Sequence, residues 1–252
     1  YSFCINGYYD YRNAAIALAL VSKGESIIEV GANIGTETVY YSDIVGPHGN
    51  VYAFEPFPPN FSRLLDLRNL SINNNLTLYD YGLSNKDMKC DFVVPEITTS
   101  GTGHIKQQLE SSCETIEIKV KNLDSLLNKI GQAKLIAIDI EGEEINFLEG
   151  AKQYLKEYKP YLIIEASPKH LKRSGASLKH LYDNLISNGY NIYQINRFGL
   201  SDINNLFTNN AKNWFCIING NKEIINKINQ MILNCTIFPS ILGLNPLSAI
   251  NE

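Results

Sequence analysis

Short, continuous apolar runs alternate with longer amphipathic segments along most of the chain. The runs at 26–30, 51–55 and 76–81 predict strands that are buried on both faces of a sheet. The amphipathic segments at 36–45 and 58–72 end in Gly- or Asn-rich clusters and predict helices. This order of strand, helix, strand, helix and strand predicts a parallel sheet with right-handed crossovers.

The same rhythm returns in the second half of the chain after an interruption at about 86–121. Within the interruption, 88–94 and 115–120 alternate apolar and polar residues and predict exposed β-segments. We expect this insertion to lie over the edge or the mouth of the sheet. Further predicted helices are 10–22, 123–130, 143–154, 177–187 and 221–234, and further predicted strands are 134–140, 161–166, 190–196 and 214–219.

Composition narrows the class of protein. The 252 residues are 44% hydrophobic and carry a net charge of −4, which excludes a disordered chain and disfavours a nucleic-acid partner. No apolar run approaches the length of a membrane-spanning helix. The five cysteines are widely spaced and form no C-x-x-C motif, which favours reduced thiols and a cytoplasmic location.

The loop after the first predicted strand carries the strongest functional pattern. Gly31 and Gly35 allow a ligand to approach the backbone at the carboxyl end of the strand. Asn33 stands where the dinucleotide fingerprint G-x-G-x-x-G has its second glycine, and the third glycine is missing. This suits a ligand without phosphate, such as S-adenosylmethionine (SAM), whose ammonium group Glu29 could face. The alternative is an ordinary glycine-containing turn.

Two later strand ends extend the pattern. Glu55 lies 24 residues after Gly31, at the spacing of an acid that accepts hydrogen bonds from ribose hydroxyls. A surface carboxylate in a loop is its alternative interpretation. After the third strand, Asp80 or the backbone of Gly82 and Leu83 could contact adenine, although a simple turn explains this segment equally well.

An acidic cluster follows the predicted strand at 134–140. Glu143 and Glu144 suit the first turn of a helix, where the helix dipole favours negative charge. Asp139 and Glu141 precede the helix, and we expect them to point into the mouth of the sheet, where a carboxylate could act as general base, position a hydroxyl or bind a metal. We expect no metal; if a divalent cation is bound, its ligands would be Asp139, Glu141 and Glu165.

The histidines add one further candidate. His104 lies in the Gly-rich part of the insertion, where it could contact a substrate and take part in catalysis. His48, His170 and His180 are interpreted as solvated residues.

The segments EVGANIGTET, VYAFEPFPPNFSRL and IDIEGEEINFLEGA, in this order and spacing, resemble the FkbM family of SAM-dependent methyltransferases over residues 25–200. The resemblance implies a Rossmann-like class I α/β fold, with a mostly parallel seven-stranded sheet, helices on both faces and an antiparallel last strand. It also implies O-methylation of a hydroxyl on a sugar, glycolipid or other natural product. The implied residues are Glu29, Gly31, Asn33 and Gly35 in the cofactor loop, Glu55 at the ribose, and Asp139, Glu141, Gly142 and Glu144 in the acidic motif.

The domain organisation expected from this resemblance is a methyltransferase domain at 1–220, with the insertion at 86–121, and a helix and tail at 221–252 packed on it. One departure is Ala137, which stands where family members often have Lys. Two other functions stay open: a non-catalytic SAM-binding or scaffold protein, and a nicotinamide-dependent oxidoreductase. The sequence identifies neither the acceptor nor the oligomeric state.

Overall fold

A computed structural model describes residues 10–71, 74–94, 103–107, 114–203, 210, 212–238 and 246. Its main sheet has eight strands in the order β11-β10-β12-β9-β8-β1-β2-β3. The five strands from β3 to β9 are parallel. The main-sheet strands are β1 Ser26–Val30, β2 Asn50–Phe54, β3 Leu76–Tyr79, β8 Leu135–Ile138, β9 Tyr161–Ala166, β10 Tyr190–Asn196, β11 Gly199–Asp202 and β12 Lys212–Ile218.

Helices cover both faces of this sheet. They are α1 Tyr11–Leu20, α2 Thr38–Val45, α3 Pro58–Leu70, α4 Glu144–Gly150, α5 Lys152–Tyr158, α6 Pro168–Arg173, α7 Leu178–Ser187 and α8 Lys222–Ile237. Successive strand residues point to opposite faces, and accordingly Ile28 packs in one apolar cluster with Phe147 of α4. Ile27 packs in another, together with Ile16 of α1 and Ile228 of α8.

The sheet has one strand more than the seven that were expected. Gly199–Asp202 turns back from β10 and pairs with it antiparallel, which adds an edge strand. This strand is only four residues long and follows a tight turn, so its sequence shows little periodicity. The expected antiparallel last strand is confirmed, because β12 runs antiparallel to both β9 and β10.

The insertion forms a second, four-stranded sheet in the order β4-β7-β5-β6. The two predicted β-segments are β5, Met88–Val93, and β7, Thr115–Lys121. They pair antiparallel with each other. Two short strands complete the sheet, β4 at Gly82–Leu83 and β6 at His104–Ile105.

Two predicted helices are wrong in detail, and the side chain of Asp124 explains where the second one restarts. The helix expected at 123–130 is a single 3₁₀ turn, Leu123–Leu126, and the helix expected at 143–154 breaks at Ala151. The carboxylate of Asp124 accepts hydrogen bonds from the backbone N–H groups of Gln153 and Tyr154 at 2.9 and 2.8 Å. Asp124 therefore caps the new helix α5 from a distant part of the chain.

Among the described helices, none is both long and apolar enough to cross a membrane. Cys90 and Cys216 are free thiols and Cys235 is buried, whereas Cys4 and Cys113 lie outside the described residues.

Candidate active site

A cavity of about 660 Å³ opens at the carboxyl ends of the parallel strands, and the loop between β1 and α2 forms one wall of it. Gly31 has φ of +88°, and a Cβ atom there would lie 2.0 Å from the backbone oxygen of Asp139. The backbone N–H groups of Gly31 and Ala32 donate to the Phe54 carbonyl at 3.0 Å, which fixes the loop against β2. Only glycine fits at this crossing of two loops.

Asn33 lines the same cavity in a left-handed conformation, with φ of +52°. Its side-chain oxygen is buried and has no hydrogen-bond partner within the described structure. Gly35, by contrast, does not line the cavity. A Cβ at Gly35 would meet Leu67 and Leu64 of α3 at 2.6 and 2.9 Å, so this glycine serves helix packing and its expected cofactor contact is not supported.

Glu29, the fourth residue of β1, reaches the cavity floor and is 4% exposed. Its carboxylate accepts a hydrogen bond from the Thr38 hydroxyl at 2.6 Å. Burial raises the pKa of Glu29 well above its usual range because the charged form loses hydration. A cationic ligand group at this position would restore the ionised form.

Glu55 follows β2 directly, faces the Gly31 loop and is 5% exposed. Its two carboxylate oxygens accept the backbone N–H groups of Asn33 and Phe57, both at 2.8 Å. Burial nevertheless raises the pKa of Glu55 to about 7. Each carboxylate oxygen can accept a further hydrogen bond, so Glu55 can hold hydroxyl groups of a ligand.

Asp139 directly follows β8 and lies beside the Gly31 loop, and its N–H donates to the Val30 carbonyl at 3.0 Å. Asp139 lines the cavity and is exposed there. Its pKa is raised well above the usual range, first because this position is poorly hydrated and then because Glu165 and Glu141 are close. A carboxylate whose pKa is raised is a stronger proton acceptor than an ordinary carboxylate.

Glu141 and Glu165 converge on a histidine that the sequence interpretation treated as solvated. His170 Nδ1 lies 3.0 Å from a Glu165 oxygen and 3.1 Å from a Glu141 oxygen. The hydrogen bond to Glu165 is the main cause that raises the pKa of His170. Arg173 adds a second cation, 3.5 Å from the Glu141 carboxylate, and also donates to the Glu141 carbonyl.

This arrangement corrects the expected metal ligands. The set of side-chain atoms close enough to share an ion comprises Glu141, Glu165 and His170, all within 4.8 Å of one another, and leaves out Asp139. The sequence did not predict that His170 would contact these carboxylates. Its helix, α6, begins at Pro168 and has only six residues, so the hydrophobic periodicity is too short to recognise.

The insertion supplies the opposite wall of the cavity. His104 of β6 and Gly82 and Leu83 of β4 all line it, as do Phe92 and Ile118. Asp80 is exposed and does not line the cavity, so its expected contact with adenine is not supported. It lies just beyond β3, before the chain turns into β4.

Helix α1 contributes cavity residues that the sequence did not indicate. Arg12 lines the cavity with its guanidinium paired to Asp10, at 2.9 and 2.6 Å. Glu37, also in the lining, accepts hydrogen bonds from Asn13 and Tyr41, and burial raises its pKa to about 7. Arg12 and Asn13 belong to no motif and meet the cavity because α1 packs beside α2. Glu37 lies within the segment EVGANIGTET, just before α2.

The comparisons with known proteins agree with this geometry. The model of the methyltransferase FkbM domain family matches residues 29–192, which is more than half of the chain. Hexuronic acid methyltransferase AglP of Haloferax volcanii is 28% identical over 152 residues, which are 60% of this chain and 59% of AglP.

Solved structures show the same fold. The FkbM methyltransferase of Methylobacillus flagellatus superposes with a TM-score of 0.51 at 20% identity, covering 77% of this chain and 44% of that protein. A Streptococcus mutans protein in complex with SAH superposes with a TM-score of 0.51 at 10% identity, covering 82% of this chain and 96% of that one. The fold is therefore the class I methyltransferase fold. The chain spans only about half the length of AglP and of the Methylobacillus flagellatus protein.

Proposed function

The chain belongs to the FkbM methyltransferase family, and from this premise we propose that it transfers a methyl group from SAM to a hydroxyl of a sugar, glycolipid or other natural-product acceptor. The observation that carries the proposal is Glu55, a buried carboxylate held by backbone N–H groups beside the Gly31 loop. Family membership favours this function over that of a nicotinamide-dependent oxidoreductase. We assign residues 1–220 to the catalytic domain and 221–252 to an attached helix and tail.

The cavity has the chemistry that SAM would need. Gly31 leaves no room for a side chain where the backbone must be approached, and the buried Asn33 oxygen is free to accept a hydrogen bond. Glu55 can accept both ribose hydroxyls, and Glu29 can accept the ammonium group or a water bound to it. The volume of about 660 Å³ is in the range of ligand pockets and supports a second occupant beside the cofactor.

The cofactor supplies a methyl group that is already activated by a sulfonium. The remaining task of the chain is to hold an acceptor oxygen in line with that methyl and to take the hydroxyl proton. Asp139 is our candidate for the base because its raised pKa makes it a stronger proton acceptor. The negative charges of Glu141 and Glu165 would help to keep the pKa of Asp139 raised. His104 would contact the acceptor from the insertion.

A hydroxyl acceptor of the sugar class is supported by the name of AglP, which acts on hexuronic acid. Our proposal includes no metal, because the Glu141 and Glu165 carboxylates already contact His170 and Glu141 also forms an ion pair with Arg173. The expected cytoplasmic location stays a prediction.

Substitution of the proposed base tests this function. We expect Asp139→Asn to lower kcat for methyl transfer by about 10²- to 10⁴-fold, the contribution of a positioned general base, while SAM binding is retained within a few-fold. The measurement is SAH formation over a panel of sugar and polyol acceptors, together with calorimetric SAM binding. Equal rates for Asp139→Asn and wild type would exclude Asp139 as the base. SAM binding without transfer to any acceptor would favour the non-catalytic alternative.

A further inference from the structure

The cavity is lined by far more negative than positive side chains. Arg12 is the single Lys or Arg residue in its described lining. The lining carboxylates number eight: Asp10, Glu29, Glu37, Glu55, Asp139, Glu141, Glu143 and Glu165. A surface this acidic would be expected to influence which molecules enter.

Three of these carboxylates already have cationic partners. Asp10 forms an ion pair with Arg12, and Glu141 and Glu165 share His170. The other five lie within 4 Å of no cationic group in the described structure, and their polar contacts come from neutral groups. Glu143, for example, accepts hydrogen bonds from the side chains of Asn146 and Gln107 at 2.7 and 3.3 Å.

The segments of this chain that the structure does not describe hold no compensating Lys or Arg. All 22 Lys and Arg residues of the sequence fall within the described ranges. In particular, no Lys or Arg occurs in residues 1–9, which precede α1, or in residues 95–102 and 108–113, which belong to the insertion. Ala137, which faces the cavity floor, also contributes no charge there.

An anionic acceptor would be disfavoured at such a site. Burial raises the pKa of Glu29, Glu37, Glu55 and Asp139, so each of them is charged only above its raised pKa. Wherever a lining carboxylate is ionised, a second negative charge about 8 Å away would weaken binding roughly 30-fold at an effective dielectric constant of about 20. An anion beside Asp139 would also keep that carboxyl protonated and thereby remove the base. SAM itself carries one net positive charge, which suits an acidic cavity.

We propose that the acceptor of this enzyme carries no carboxylate, phosphate or sulfate group, and that its hydroxyl belongs to a neutral or amine-bearing sugar or polyol. This inference rests on the proposed methyl transfer. It separates this chain from AglP, whose name specifies a hexuronic acid.

The test compares sugars that differ only in charge. The probes are methyl glycosides of glucose, glucuronic acid and glucosamine, and the matching galactose series. Binding to the SAH-loaded protein is measured by calorimetry, and kcat/KM by SAH formation from SAM. We expect the neutral or amine-bearing member of a series to exceed the uronate at least tenfold.

The outcomes separate this inference from the proposed function. A uronate that equals or exceeds its neutral counterpart would overturn the inference, and so would the absence of binding in both series. Charge-dependent binding without any turnover would leave the inference standing while the proposed methyl transfer fails.

A pair of variants tests whether the preference for neutral over uronate ligands arises from the charge of the cavity lining. We expect Glu143→Gln, which removes a lining charge, to narrow the preference for neutral over uronate ligands by about 3- to 10-fold. Glu149→Gln removes an exposed charge from α4, outside the cavity lining, and should leave the preference unchanged. Glu37→Gln provides a second lining variant if Glu143→Gln does not fold. An unchanged preference in a folded lining variant would contradict the electrostatic cause.

Discussion

At the residue scale, the carboxylates of the cavity differ in what surrounds them, and this difference divides their roles. Glu55 is held by two backbone N–H groups, whereas Asp139 faces other carboxylates and takes up a proton more readily. Glu141 and Glu165 are balanced by His170 and so remain suited to a positioning role.

Some of these residues could be predicted from the sequence and others could not. Glu55 and Asp139 directly follow strongly apolar strands, and the carboxyl ends of parallel strands meet at one edge, so their convergence was predictable. Arg12 reaches the cavity through helix packing, and His170 reaches Glu141 and Glu165 from a six-residue helix; the local sequence gives no signal for either contact.

The raised pKa of Glu55 predicts a pH dependence for SAM binding. Ribose hydroxyls and a nearby cation favour the ionised carboxylate, so binding at low pH must first remove a proton from a group whose pKa is about 7. We expect the affinity for SAM to fall about tenfold from pH 8 to pH 6 and to level off above pH 8. Calorimetry at several pH values measures this, and Glu55→Gln should flatten the profile. An affinity that does not change between pH 6 and pH 8 would refute the link.

At the element scale, the strands of the parallel sheet were predicted best. β1 and β9 begin and end where their apolar runs do, because buried strands leave a continuous apolar signal. The helix break at Ala151 was missed because its cap, Asp124, comes from another part of the chain. β4, β6 and β11 were missed because strands of two to four residues carry too little periodicity.

The crossing of the β1–α2 and β8–α4 loops makes Gly31 the most sensitive position of the glycine loop. We expect Gly31→Ala to lower the free energy of unfolding by more than about 2 kcal/mol and to abolish measurable SAM binding, because its Cβ would lie 2.0 Å from the Asp139 carbonyl oxygen. Denaturant unfolding and calorimetry measure the two effects.

Gly24 provides the matched control for that variant. It also has a positive φ, of +94°, but a Cβ there meets nothing within 4 Å. Gly24→Ala should therefore cost only the backbone strain, about 1–2 kcal/mol, and retain SAM binding. If the two variants behave alike, the contact between the loops is not what requires glycine at Gly31.

At the scale of the whole molecule, the fold places one cavity between the parallel sheet and the second sheet of the insertion. The FkbM resemblance predicted this fold correctly, apart from the eighth strand. The cavity lining also includes residues of α1 and the insertion, such as Arg12 and His104, which lie outside the shared motifs.

The central claim is that this cavity binds SAM through Glu55, and calorimetric titration of the full chain tests it most directly. SAM and NADH are titrated separately into wild type, Glu55→Gln and the exposed control Glu149→Gln. We predict SAM binding with a Kd of about micromolar order, no NADH binding, and a loss of about 10- to 100-fold in SAM affinity for Glu55→Gln alone. NADH binding by wild type, or unchanged SAM affinity in a folded Glu55→Gln variant, would contradict the account.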